Sequence, residues 1–154
     1  MQNNKLYIAY GSNLNLRQMA VRCPTAKPVG KAMLKGWQLT FRGVATLEPK
    51  EDAVTPVGIW EILPQDEIAL DRYEGFPRLY RKAMVEVELK GKAVKAMVYL
   101  MNDGLPCLPS KWYLDAIAQG YEDVGLDTVH LTVALEDTRE RMGVKEEWDD
   151  DDGK

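Results

Sequence analysis

Apolar and polar positions along the chain alternate between two periods, and the switches between them mark the predicted elements. Residues 5–10 (Lys-Leu-Tyr-Ile-Ala-Tyr) are aromatic and branched, as a strand requires, and Gly11 ends the run. Asn13 or Asn15 then offers a cap for a short helix to about Arg22, which must stop ahead of Pro24. Residues 37–42 alternate apolar and polar, the period of a half-buried strand, and residues 57–62 read as another. Pro64 suits the first position of a helix, where its missing N–H costs nothing; that helix runs to about Glu74 and ends at Gly75, with Pro77 beyond.

Two long strand-like runs follow, 81–89 and 93–101, around Lys90-Gly91-Lys92, and predict a hairpin. After a loop at 102–109, Ser110 caps a helix with Tyr113, Leu114, Ile117, Ala118 and Tyr121 on one face. Gly125 and Asp127 break it. A last helix carries Leu131, Ala134, Leu135, Thr138 and Met142 on one face, with Arg139 and Arg141 suited to the negative end of its dipole and Gly143 beyond. About five strands not regularly separated by helices predict an α+β fold. The pattern does not choose between an open sheet and a small closed or nearly closed barrel, which would remove exposed edges.

Composition changes this picture only at the C-terminus. The 154 residues have the usual size of one domain, with 45% hydrophobic and 29% charged residues, as in an ordinary globular chain. The net charge of −4 is concentrated in residues 145–154, which hold six acids and two lysines; without them the chain has 18 acids and 18 bases. The expected organisation is a single domain over residues 1–144 and an acidic, disordered tail over 145–154. A neutral body without a Lys/Arg-rich run offers no electrostatic footprint for nucleic acid. No stretch approaches the roughly 20 apolar residues that span a bilayer, and the polar start Met1-Gln2-Asn3-Asn4-Lys5 is unlike a signal peptide. With only Cys23 and Cys107, outside any Cys-x-x-Cys pattern, a cytoplasmic protein with reduced thiols is expected. No pattern speaks to oligomeric state.

Two segments carry candidate chemistry. In Tyr10-Gly11-Ser12-Asn13-Leu14, between a strand and a helix, the glycine lets backbone approach a ligand and the helix start leaves N–H groups unpaired. Such a turn suits a carboxylate or a polarised carbonyl oxygen; equally, it is a plain strand-to-helix turn with a capping side chain. It lacks the lysine and glycine spacing of a nucleotide-binding loop. In Leu70-Asp71-Arg72-Tyr73-Glu74-Gly75-Phe76-Pro77, Glu74 lies in a last helical turn, sharing a face with Leu70. Apolar surroundings raise a carboxyl pKa toward neutrality, as a general base or acid needs; the plain alternative is a solvated side chain or a pair with Arg72, Arg78 or Arg81. His130, the sole histidine, and two distant cysteines argue against a Cys–His dyad or a zinc site.

Taken together, Tyr10-Gly11-Ser12-Asn13-Leu14 and Tyr73-Glu74-Gly75 resemble the two signatures of the γ-glutamylcyclotransferase family, including its AIG2-like relatives. Tyr80, Tyr99-Leu100-Met101, Pro109-Ser110, Tyr113, Gly120 and Gly125-Leu126 continue the resemblance in the family's order. It implies a mixed, barrel-like fold in which the glycine-serine loop and the glutamate share one cavity. It also implies a small-molecule γ-glutamyl substrate whose own α-amine attacks its γ-carbonyl, giving 5-oxoproline and releasing an amine or amino acid without metal or cofactor. Glu74 would be the catalytic base and acid, with Tyr10, Gly11, Ser12, Asn13, Leu14, Tyr80 and Tyr113 binding substrate and Tyr99 a further candidate for the cavity wall. The loop at 102–109 is the candidate wall for the leaving group. A non-catalytic ligand-binding or regulatory protein on the same fold is the alternative, and its cheapest signature, loss of the carboxylate, is absent here.

Overall fold

The computed structural model describes residues 4–143. Five strands, β1 (Lys5–Ala9), β2 (Lys27–Phe41), β3 (Ala45–Ile62), β4 (Tyr80–Leu89) and β5 (Lys92–Met101), form one mixed sheet in the order β2-β3-β1-β5-β4. The short β1 lies in the middle, antiparallel to β3 and parallel to β5, while β2–β3 and β4–β5 are antiparallel pairs. Tyr7, Ile8 and Ala9 of β1 are all buried, as expected for a strand covered on both faces.

The α+β expectation holds and the barrel does not: the sheet is open, with β2 and β4 as its outer strands and no ladder joining them. Features of β2 fit an outer position. Pro28 has no N–H to donate, register shifts interrupt its pairing after Pro28 and after Lys35, and Lys27, Lys31 and Lys35 are exposed. β2 and β3 also begin well before the stretches that alternate, at Lys27 and Ala45.

Four helices flank the sheet: α1 (Leu16–Arg22), α2 (Pro64–Glu74), α3 (Lys111–Val124) and α4 (Val129–Met142). Asn15, rather than Asn13, caps α1 by accepting the Gln18 N–H at 3.0 Å. In α2, Pro64 fills the first turn and Asp66 accepts the Leu63 N–H at 2.9 Å. Asp66 is buried, and its other oxygen accepts the Thr25 hydroxyl at 2.6 Å, which pins the start of α2. Gly75 closes α2 in the left-handed region (φ 68°), and the Phe76 N–H returns to the Asp71 carbonyl at 2.9 Å. Ser110 caps α3 through the Tyr113 N–H at 3.1 Å.

One close approach sets where the loop after β1 lies. A Cβ on Gly120 of α3 would stand 2.7 Å from the Asn15 nitrogen and from two Leu14 atoms, so only glycine lets the helix backbone rest on the turn. No helix among the described residues is long and apolar enough to cross a membrane. The acidic segment 145–154 lies outside the described residues.

Candidate active site

The turn that follows β1 is a single 3-10 turn, Ser12–Leu14, closed by the Leu14 N–H on the Gly11 carbonyl and the Asn15 N–H on the Ser12 carbonyl, both at 3.0 Å. The N–H groups at the front of such a turn have no acceptor within it. Each polar side chain of the turn has a partner. Ser12 Oγ is 2.7 Å from the Tyr73 hydroxyl, and Asn13 donates its amide to the Tyr7 hydroxyl at 2.8 Å while accepting from Arg22. Ser12 and Asn13 are both buried, so these bonds replace water and fix the turn.

Glu74 is brought to this turn by the far end of α2. Together they line a cavity of about 270 Å³ with Tyr7, Tyr10, Tyr73, Tyr80, Tyr99, Tyr113, Val44, Ala45 and Leu79. Six tyrosines converge here because α2, β4, β5 and α3 each present one toward the same space and β1 with the residue after it presents two. Most are anchored by their hydroxyls. Tyr10 donates to the Tyr99 carbonyl at 2.7 Å and Tyr80 to the Ala45 carbonyl at 2.8 Å, while Tyr113 accepts the Ala45 N–H at 3.1 Å. Tyr99 donates to Asp71 at 2.5 Å, tying the cavity wall to the middle of α2.

The electrostatics separate Glu74 from its surroundings. Among the described residues its carboxyl has no hydrogen bond and no ion pair, including none with Arg72, Arg78 or Arg81. Burial pushes it up to about 7, against the lowering pull of the Arg22 charge. Burial, with the nearby Glu74 charge adding to it, also holds Tyr7, Tyr10, Tyr80 and Tyr113 above the ordinary tyrosine value, so they remain neutral near pH 7. The cavity thus pairs one carboxyl that can exchange a proton at neutral pH with phenols that cannot. Among the described residues no group of three or more His, Cys, Asp or Glu is arranged to hold a metal ion.

Of the residues singled out in the sequence, the cavity brings together Tyr10, Gly11, Ser12, Asn13, Glu74, Tyr80, Tyr99 and Tyr113. Leu14 does not line it: its side chain is fully buried in the core and its N–H is committed to Gly11. The loop at 102–109 does not line it either, because Cys107 is bound to the β2–β3 turn through the Phe41 carbonyl (3.1 Å) and the Gly43 N–H (2.7 Å). Tyr7, Val44, Ala45 and Leu79 were not singled out, and Tyr73 entered only as part of the Tyr73-Glu74-Gly75 signature, without a role of its own. The one signal for Tyr7 was its place in the strand that leads into the Tyr10–Leu14 motif; Val44, Ala45 and Leu79 had none.

A sequence model of the family described as gamma-glutamyl cyclotransferase, AIG2-like, matches residues 7–116. The chain is 30% identical over 136 residues to a bovine (Bos taurus) protein named gamma-glutamylcyclotransferase, spanning 79% of this chain and 72% of that one. A human protein of the same name is 30% identical over 138 residues, with the same coverage. A solved structure described as gamma-glutamyl cyclotransferase superposes with a TM-score of 0.75 over 93% of this chain and 89% of that one; at 24% identity it speaks to the fold. The crystal structure of an uncharacterised human protein gives a TM-score of 0.74 at 25% identity, over 94% and 89%. The fold, the cavity and the sequence match agree, and the chain belongs to the AIG2-like gamma-glutamylcyclotransferase family.

Proposed function

We propose that this protein cyclises γ-glutamyl groups to 5-oxoproline and releases an amine or amino acid, with Glu74 as the general base and then the general acid. The observation that carries this reading is an unpaired Glu74 carboxyl, poised at about 7, in one cavity with the Gly11–Asn13 turn. The substrate's α-ammonium must lose a proton before its nitrogen can attack. Glu74, ionised, takes that proton, and the nitrogen adds to the γ-carbonyl carbon. The oxygen then carries the developing negative charge, which N–H groups at the front of the 3-10 turn stabilise. Collapse breaks the bond to the leaving nitrogen. Of the three ammonium hydrogens, one stays on the lactam nitrogen and two depart with the amine, Glu74 passing them across. The result is an acyl transfer within the substrate that ends by expelling the amine, the reaction of a cyclising lyase.

The scheme uses no protein nucleophile, metal or organic cofactor. Both reacting groups belong to one small molecule, so what the protein must supply is a folded conformation of it. The anchored tyrosines suit that requirement, because their hydroxyls are already spent on the Tyr99 and Ala45 backbone and on Asp71, which leaves rigid walls. The test is to incubate the protein with a panel of γ-glutamyl amino acids and amines and quantify 5-oxoproline by mass spectrometry. Product above an enzyme-free control, lost in Glu74→Gln, is the expected outcome. Normal turnover by folded Glu74→Gln would remove Glu74 from the mechanism, and no product across the panel would favour a protein that binds its γ-glutamyl ligand intact.

A further inference from the structure

Arg22 ends α1, outside the cavity lining, yet it touches both halves of the site. Its Nη1 donates to Asn13 Oδ1, and its guanidinium carbon lies 3.5 Å from the centroid of the Tyr73 ring. Asn13 passes the link on to Tyr7 at 2.8 Å, and Tyr73, adjacent to Glu74, is itself bonded to Ser12 at 2.7 Å. A planar guanidinium donates in its plane while its face lies on an aromatic ring; the compact ammonium of lysine cannot do both at once.

We infer that Arg22 is a positioning residue for the reaction, locking the Gly11–Asn13 turn through Asn13 and the end of α2 through Tyr73. The inference deepens the reading above and rests on Glu74 being the base. Geometry carries it, and charge adds to it. Glu74 shares the cavity with Tyr7 from β1, Tyr10 beyond it, Tyr73 from α2, Tyr80 from β4, Tyr99 from β5 and Tyr113 from α3, and Arg22 from α1 is the cation that acts on it. Arg22 therefore favours the ionised base that takes the first proton, and among the described residues it makes no ion pair with Glu74 that would neutralise it.

Two variants separate the locking from the charge, Arg22→Gln removing both and Arg22→Lys only the first. In Arg22→Gln the acidic limb of the kcat/KM profile is expected to move up by about 1 pH unit, with kcat down roughly tenfold. In Arg22→Lys the limb stays in place while kcat falls several-fold and KM changes little. A Glu74 titration by carboxyl-carbon NMR, run on the same proteins without substrate, should show the same displacement in Arg22→Gln alone. A folded Arg22→Gln with an unmoved midpoint overturns the role of the charge, and Arg22→Lys with wild-type kcat overturns the locking. If Arg22→Gln does not fold, the kcat of Arg22→Lys decides alone. A wild-type protein that is inactive on the whole panel counts against the proposed reaction; the Glu74 titration then still decides the charge, and the Asn13 side-chain amide and Tyr73 ring signals decide the locking, unmoved signals in Arg22→Lys overturning it.

Discussion

Glu67 and Glu74 stand two turns apart on one face of α2 and have opposite fates. Glu67 meets Lys82 at 2.6 Å and Lys5 at 2.9 Å. Burial alone would raise its pKa, but hydrogen bonds from Lys82 and then Lys5 hold it below the ordinary value. Asp71, one turn on, is still within reach of Lys82 at 3.0 Å and accepts from Tyr99. At Glu74 the lysines have run out, and burial prevails. The same residue type on the same stripe anchors a helix at one end and is available for chemistry at the other. What separates them is the supply of cations from β1 and β4, which ends before the cavity begins.

The comparison breaks most sharply at Glu74→Gln. Turnover should fall by about 10²–10⁴-fold. Stability should move the other way. The folded pKa of about 7 lies above the ordinary 4.5, so ionised Glu74 costs the native state nothing below about 4.5, progressively more up to 7, and the full amount above it. The shift corresponds to up to about 3 kcal/mol. Calorimetry should therefore find Glu74→Gln more stable than wild type at pH 8.5 and nearly equal to it at about pH 4. Destabilisation at pH 8.5 would mean that Glu74 is held by stabilising partners after all.

Next in size is the wild-type pH profile. With Glu74 acting as the base, kcat/KM should fall about tenfold per unit below a limb near 7 and level off above it. A limb near 4.5 would make Glu74 as ordinary as a solvated carboxylate. Gly11→Ala sharpens the other half of the site. Its added methyl would stand 3.2 Å from the Ala45 Cβ and 3.4 Å from the Tyr113 hydroxyl, and should lower kcat/KM by roughly tenfold in steady-state kinetics. Unchanged kinetics would return the turn to a purely structural role. The smallest effect belongs to Glu67→Gln. Its folded pKa is depressed, so its stabilising contribution is present above about 4.5 and lost as pH falls through the folded value. The expected cost is about 1 kcal/mol at pH 7, vanishing in acid, with kcat within about twofold of wild type.

How much of this was legible in the chain depends on where the information resides. Pro64, Gly75, Ser110 and Gly143 are local signals, and the helices they bound begin and end where those residues dictate. The β4–β5 hairpin was equally plain. The early halves of β2 and β3 were not, because Pro28, Gly36, Pro49 and the exposed Lys50, Glu51 and Asp52 interrupt the alternation that a half-buried face produces. Openness of the sheet is a property of which strands end unpaired, and no local period encodes it. The turn at Gly11–Asn13 and Glu74 each admitted a plain structural reading from local chemistry; they stood out because together, in order, they resemble the two signatures of one family. Arg22 did not, and Tyr73 was legible only as part of its signature: an arginine at a helix end and a tyrosine beside an acid have no evident roles until α1 and α2 are folded against each other. The loop at 102–109 misled for the converse reason, since a loop's length says nothing about which turn it binds.

Gly120 gives the architecture a mechanical coupling. Its backbone presses on Leu14 and Asn15, and no rotamer of any side chain avoids a contact at 2.7 Å with main-chain atoms. Even a single methyl there is a wedge that must drive α3 and the turn apart. α3 also carries Tyr113, so the wedge displaces two walls of the cavity at once from a position that touches neither substrate nor base. Variation at 120 thus acts as an adjusting screw on the reaction geometry, and the allowed setting is the smallest residue in the alphabet.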